Sequence, residues 1–398
     1  MRRSAIRQLT AFIAVLTLVL TTCWVVVGLL VAPIVPGGWR TVLAAALLLT
    51  VLPLALFVRQ RTSGAYAGRW ERLLLFRPFW YAQLAIILCT LAGAAGAVAG
   101  LVVGRPGDGG RVLAGAMLLV FALASVWGYV DARRLRLRRV DAMLPDLSPA
   151  LDGLRVVQLT DLHVGPHTSR RYLRRVLELA QAAQPQLIVV TGDLVDDFPD
   201  DVACYARAFG TLAAPLGVYV SVGNHEVYSG WPAVRERLRA LPVTVLVNEH
   251  RVLEWNGARI TLAATGDPAG GHHSASGGVD VNAMLAGVPA DVPVIVMAHN
   301  PALWPALARC GVAITLSGHT HWGQFAVPRR GWSLAGVFLE RAMGAHGENG
   351  SLLWIHPGTN YWGIPFRLGT PPEVLELTLR AGGHAPSLRG TDGPLPSG

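Results

Sequence analysis

Apolar residues follow two different rhythms along this chain. In the first third they come in unbroken runs, about Leu9–Val31, Thr41–Val58, Gln83–Val103 and Val112–Val130, and none of the four contains an internal charge. Runs of about 20 apolar residues predict helices that cross a bilayer, and together they predict a four-helix transmembrane region over residues 1–139. Beyond residue 154 the runs shorten, become β-rich and each end in a polar cluster.

Leu154–Thr160 leads into Asp161-Leu162-His163, Leu187–Thr191 into Gly192-Asp193, and Val218–Val222 into Gly223-Asn224-His225-Glu226. Val294–Met297 leads into His299-Asn300, and Ala313–Leu316 into Gly318-His319-Thr320-His321. Layered α/β folds assemble their sites at such carboxyl ends of strands. Helices are predicted at Ser169–Ala183, stopped by Pro185, and at Pro232–Ala240. Thr244–Asn248, Arg251–Trp255 and Arg259–Ala264 read as strands, the last two as a hairpin about Asn256-Gly257. Ser351–Ile355 and Glu373–Leu379 are expected to complete a second sheet. Residues 140–153 read as a Pro-containing linker, 154–380 as the soluble domain, and the Gly-, Pro- and Ser-rich stretch 381–398 as a disordered tail.

Composition sharpens this division. Hydrophobic residues make up 52% and charged residues 15% of the chain, too apolar a balance for a wholly soluble protein. All 12 His lie at or beyond His163. A net charge of +9 would suit a nucleic-acid partner, but residues 1–141 hold 16 Arg against 4 acidic residues, whereas residues 142–398 hold 18 Arg against 21. The slightly acidic soluble domain therefore argues against nucleic acid, and nothing in the sequence specifies a protein partner. Arg residues flank the spans on one side, which predicts a multi-pass cell-membrane protein with its N-terminus and soluble domain in the cytoplasm. Arg2-Arg3 before an apolar run leaves an export signal or a cleaved signal peptide open. No charge interrupts a span, so the helices read as an anchor rather than a transport pathway. The four Cys have no paired spacing, which excludes a disulfide framework or a cysteine metal site.

Asp161 and His163, one residue apart, would project to the same side of an extended strand end, as would His319 and His321. Either pair alone means little. Five strand-end clusters, each with a metal-competent side chain, mean more. Carboxylates, imidazoles and an amide oxygen without thiolate suit Mn, Fe or Zn. The two oxygens of Asp193 could face two ions about 3.5–4 Å apart.

This ordered series of motifs resembles the calcineurin-like metallophosphoesterase family over roughly Leu154–Leu379. Leu316–Gln324 and Arg367–Glu373 resemble its bacterial membrane-associated branch, which includes enzymes acting on phospholipid or diacylglucosamine phosphodiesters. The resemblance implies a four-layer α/β/β/α domain and two divalent ions. Asp161, His163 and His321 would hold the first ion, Asn224, His299 and His319 the second, with Asp193 bridging. His225 would be the catalytic imidazole, oriented by Glu226, where many members have Asp. The implied activity is hydrolysis of phosphoester bonds, as a phosphodiesterase or phosphatase, by a hydroxide bridging the metals. Membrane attachment directs the expectation to a lipid or membrane-associated phosphoester. The alternative is a nonenzymatic metal-bound membrane scaffold or sensor, against which the full ligand set weighs.

Other residues admit two readings. His272 and His273 form a solvated loop or a lid over the site. His167 touches substrate phosphate or simply precedes a helix capped by Thr168 or Ser169. Asp196 backs a ligand or ties a loop, and His356 faces the site or serves the fold. Trp322 and Gln324 are expected in the pocket wall, Trp231 and Trp304 in the core, and His250, His346 and His384 on the surface.

Overall fold

The computed structural model describes residues Arg2–Pro396 apart from His272, His273, Asp392 and Pro394; the two histidines read above as loop or lid lie outside the described residues. The chain divides into two compact units, Met1–Val126 and Trp127–Gly398.

The first unit is helical. Three helices, Trp39–Gln60, Arg69–Leu101 and Pro106–Asp131, are long and apolar enough to cross a membrane, and Val15–Val31 adds a shorter apolar stretch. Side chains such as Leu91, Val98, Leu119 and Leu123 point outward, as a lipid-facing surface requires. Packing among three of the helices depends on small residues. A Cβ at Gly96 would strike the carbonyl of Gly109, and one at Gly110 would strike Leu30.

The second unit is a sandwich of two sheets covered by helices on both outer faces. The first sheet takes β1 (Arg136–Leu144), β2 (Arg155–Leu159), β3 (Leu187–Thr191), β4 (Val218–Ser221) and β5 (Thr244–Val245). The second takes β6 (Glu249–Trp255), β7 (Ala258–Ala264), β8 (Val294–Met297) and β9 (Ile314–Ser317). A two-stranded ribbon, β10 (Ala326–Val327) and β11 (Trp332–Ser333), follows β9. The later strands are β12 (Gly344–Glu348), β13 (Ser351–Ile355), β14 (Glu373–Ala381) and β15 (Ser387–Gly390). The strand orders are β15-β1-β14-β2-β3-β4-β5 and β12-β13-β9-β8-β7-β6. Within them β2, β3, β4 and β5 run parallel, as do β7, β8, β9 and β13.

Alternation along these strands sorts side chains into layers. Leu187 and Val189 of β3 join Leu262, Ile295, Met297, Ile314 and Leu316 between the sheets. Ile188 and Val190 point outward onto Val176, Ala180, Tyr205, Phe209 and Val234 of the covering helices. All five residues of β3 are buried, which is why four of them, Leu187–Val190, form an unbroken apolar run. The helix over Arg170–Ala182 is capped by Ser169, whose hydroxyl accepts the Tyr172 N–H. Its apolar face is Leu173, Val176 and Ala180.

Three expectations change. Arg136–Leu144, read as a membrane flank running into a linker, is β1 inside the first sheet. Val140, Ala142 and Leu144 alternate into the core. The arginines of that flank bind neighbouring-strand carboxylates, Arg138 to Glu373 at 2.8 Å and Arg139 to Glu376 at 3.3 Å. Glu373–Ala381 belongs to the first sheet, not the second, between β1 and β2. Ser387–Gly390, in the stretch read as a disordered tail, pairs antiparallel with β1. That strand is only four residues long and sits among Gly and Pro, so its sequence carries little periodicity.

Candidate metal centre

The polar clusters lie beyond the carboxyl ends of β2, β3, β4, β8 and β9, and the two sheets bring those ends together. The backbone does not reach them in extended form. Asp161, His163, Asp193, His319 and His321 all have positive φ, between 40° and 70°, an uncommon conformation for residues with a side chain and one that costs about 1–3 kcal/mol each. The chain thus turns sharply after β2, β3 and β9, and the i, i+2 argument for Asp161/His163 and His319/His321 is replaced by paired left-handed residues. Two glycines make the approach possible. A Cβ at Gly223 would collide with Asp193, and one at Gly318 with Asp161 and Thr160.

All seven predicted ligands converge. His163 Nε2 lies 3.1 Å from His321 Nε2, and His321 Nε2 lies 3.2 Å from Asp161 Oδ1. On the other flank Asn224 Oδ1 lies 2.8 Å from His319 Nδ1 and 3.2 Å from His299 Nε2. Asp193 stands between the flanks, its Oδ2 3.2 Å from His299 Nε2 and 3.8 Å from His163 Nε2. Three groups, Asp161/His163/His321, His163/Asp193/His225 and Asp193/His299/His319, each bring their ligand atoms within 4.8 Å of one another. Asp161 and Asp193 are 0% and 2% exposed. Two buried carboxylates ringed by imidazoles and an amide oxygen form a donor set that fits a divalent cation. One nitrogen of the set, His163 Nδ1, is buried without a hydrogen-bond partner.

Charge within the cluster is divided. Burial opposes ionisation of Asp161, yet His321 and His299 hold its carboxyl well below the usual carboxylate range. Burial also opposes a charge on His299, but Asp193, Asp161 and Asp267 hold its proton well above the ordinary imidazole range. Burial and then His225 push His163 well down, and burial and then His299 push His319 down to about 4.

Asn224 and His225 do not end a strand. They open the helix Asn224–Arg239, which is interrupted at Gly230, φ 100°. The His225 N–H donates to Asp193 Oδ1 at 2.9 Å, and its Nδ1 meets the Asp196 carbonyl. Burial disfavours protonation of His225, but Asp193 and the Asp196 carbonyl outweigh it and raise its pKa. Orientation therefore comes from Asp196, not from Glu226. The longer Glu226 arm turns under the loop after β3 and accepts backbone N–H groups of Asp193 (2.9 Å), Leu194 (2.7 Å), Val195 (3.0 Å) and Gly223 (2.7 Å). It ties two ligand loops together from below.

Arg367, noticed in the sequence only as part of a matching stretch, is wholly buried behind the site. Its guanidinium donates to the carbonyls of Pro357, Thr370 and Asn360, and its Nη2 lies 2.9 Å from His321 Nδ1. A guanidinium only donates, so His321 Nδ1 is the acceptor of this contact. His356 does not serve as a ligand: its Nδ1 accepts the Gly358 N–H, and burial pushes its pKa down to about 3. Trp322 packs in the core with Trp304 and Met343 rather than lining a wall. Gln324 binds both backbone groups of Trp362, a residue with no motif to announce it, whose ring lies 6.1 Å from His225. Tyr228 lies as close on another side. Trp231 and Trp304 are buried as expected. His250 and His346 are half-buried, each bonded to a backbone carbonyl, while His384 is exposed.

Residues 154–323, which hold all seven predicted ligands, match the family described as Calcineurin-like phosphoesterase. The chain is 31% identical over 287 residues to a transmembrane protein with metallophosphoesterase domain from Danio rerio. It is 32% identical over 279 residues to a protein of the same description from Bos taurus. Each match covers 66% of this chain and 62% of the relative, so the chain spans about 62% of the length of these two curated relatives. An uncharacterized metallophosphoesterase from Aquifex aeolicus (strain VF5) is 25% identical over 268 residues, which is 67% of this chain and 100% of that protein.

Proposed function

We propose that this protein is a membrane-anchored hydrolase that cleaves phosphoester bonds, with a lipid or other membrane-borne phosphodiester or phosphomonoester as substrate. The observation that carries the reading is the convergence of Asp161, His163, Asp193, Asn224, His299, His319 and His321, with His225 beside His163 and Asp193. In this reading Asp161, His163 and His321 hold one divalent ion, Asn224, His299 and His319 a second, and Asp193 bridges; Mn, Fe or Zn suits the donors. Such ions supply Lewis acidity toward phosphoryl oxygens and lower the pKa of bound water.

The protein's own groups do the rest. His225, held through Nδ1 by the Asp196 carbonyl, can take a second proton on Nε2, and Asp193 and the Asp196 carbonyl, outweighing burial, favour that protonated form. It donates to the departing alkoxide, a general-acid role worth about 10²–10⁴-fold. Glu226 keeps the Asp193 and Asn224 loops in register. Trp362 and Tyr228, both exposed beside His225, give an apolar rim for the leaving group.

The test uses the full chain in detergent with Mn²⁺, because a fragment begun at residue 140 would cut β1 in half. Expected is chelator-sensitive turnover of a phosphodiester, a phosphomonoester or a lipid phosphoester that His225→Ala abolishes. Bound metal with no turnover on any of the three would overturn the reading in favour of a metal-bound scaffold. Arg flanking the spans supports a cytoplasmic domain, and a reporter fused at the C-terminus, active only outside the cytoplasm, would reverse that orientation.

A further inference from the structure

The segment after the His319/His321 loop exposes hydrophobic side chains that the site does not use. β10 and β11 form a ribbon around Pro328–Arg330, followed by a single turn at Ala335–Val337. Val327 is 40% exposed, Trp332 39%, Val337 60%, Phe338 81% and Leu339 42%. Arg329 and Arg330 at the ribbon tip are also exposed, and neither has an ion-pair partner among the described residues. Glu340 is paired with Arg341 at 2.9 Å, so the segment's free charge is positive.

The backbone beneath these side chains is closed. Leu334 N–H donates to Phe325 O at 2.8 Å, Gly336 N–H to Ser333 Oγ at 3.1 Å, and Phe338 and Leu339 N–H to Ala335 O at 3.0 and 2.9 Å. The foot is tied to the site: Thr320 Oγ1 donates to Ala342 O at 2.7 Å. A closed turn that presents apolar tips outward marks an interaction surface rather than a slack loop.

We propose that this segment is a membrane-interface anchor. Val337, Phe338 and Leu339 enter the headgroup boundary of an anionic bilayer, while Arg329 and Arg330 lie against its phosphates. Apolar tips rimmed by unpaired arginines are the composition that binds such a surface. The same chain carries three helices able to cross a membrane, so a bilayer is always at hand. A second copy is a poorer occupant, because a two-fold contact through this patch would bring the arginines of both copies together. The consequence is a metal centre whose rim is held at headgroup level, which rests on the proposed function only for its activity readout.

The experiment uses the full chain reconstituted in phosphatidylcholine vesicles with and without phosphatidylglycerol. Cys204→Ser and Cys310→Ser remove the accessible thiols, and Gly336→Cys carries a nitroxide on the turn. A Cβ at Gly336 meets only ordinary contacts, Ser333 Oγ at 3.4 Å and Ala342 Cβ at 3.8 Å. A second nitroxide at Glu236→Cys, on the exposed face of a helix, is the aqueous reference. Expected is preferential oxygen over nickel-chelate accessibility at 336 but not at 236, stronger with phosphatidylglycerol and weakened by Arg329→Glu with Arg330→Glu. The same accessibility at both positions would overturn the proposal, as would dipolar broadening at 336 that reports a neighbouring copy. Val337→Ser, Phe338→Ser and Leu339→Ser together should lower turnover of a bilayer-borne phosphodiester about tenfold and leave a water-soluble one unchanged. If the wild-type chain hydrolyses neither, the proposed function fails while the accessibility measurement still decides the anchor.

Discussion

The two flanks of the metal centre are built alike in front and oppositely behind. Asp161, His163 and His321 are backed by a buried cation, Arg367, against the far side of His321. His299, His319 and Asn224 are backed by carboxylates outside the ligand set: Asp267 acts on His299, and Glu226 lies beneath the Asn224 loop. Asn224 and His319 are half-buried, whereas Asp161, His163 and His321 are buried. A divalent ion between imidazoles is repelled by positive charge behind it and welcomed by negative charge. The flanks should therefore be unequal partners for metal despite equal numbers of ligands.

The largest effect tests that inequality directly. Chelation is expected to abolish turnover, and stepwise return of Mn²⁺ should restore bound metal, followed by calorimetry, in two resolvable steps. One unresolved step would break the comparison. Next in size is Arg367→Lys. A shorter point charge cannot serve three carbonyls and an imidazole at once, so the thermal midpoint should fall by the equivalent of about 3–4 kcal/mol, the cost of leaving two buried acceptors unpaired. An unchanged midpoint would mean that the cation is not needed.

Glu226→Gln is expected to cost about 2–3 kcal/mol, because the amide has one acceptor oxygen for four backbone N–H groups. The smallest effect belongs to Asp267. Burial, opposed by His299, raises its carboxyl pKa, and one of its oxygens has no hydrogen-bond partner. A carboxyl whose folded pKa lies above its unfolded one contributes stability that is present at low pH and lost as pH rises through the folded value. Asp267→Asn, which keeps the bond from Ala269 N–H, should thus be stabilising by less than about 1 kcal/mol, and only above that pKa. A stabilisation largest in acid would carry the wrong sign.

Much of this centre was legible in the sequence because strand ends announce themselves. An apolar run that stops at Gly-Asp or Gly-His leaves few places for the side chain that follows, and all seven proposed ligands sit where such runs stop. What was illegible depended on reach or on distant neighbours. The family resemblance implied that Glu226 orients His225, yet its side chain reaches instead to the loop after β3. Arg367 gave no local signal, since its partners come from Pro357, Asn360, Thr370 and His321. β1 was masked by its arginines, which match a membrane flank as well as they match Glu373 and Glu376. The alternation of Val140, Ala142 and Leu144 was the signal that could have found it. Trp362 stands in a loop, and only the Gln324 clamp brings it to His225.

The position of β1 also governs how the soluble unit comes into being. β1 is the first strand of its sheet to be synthesised, but both neighbours come last: Arg138 and Glu373 are 235 positions apart. At ordinary translation rates that gap is a wait on the order of 10–50 s. During it β1 has two open edges, which invite pairing with the wrong strand. Arg136, Arg138 and Arg139 guard those edges with like charge until Glu373 and Glu376 arrive, and only then do the guards become the bonds that close the sheet.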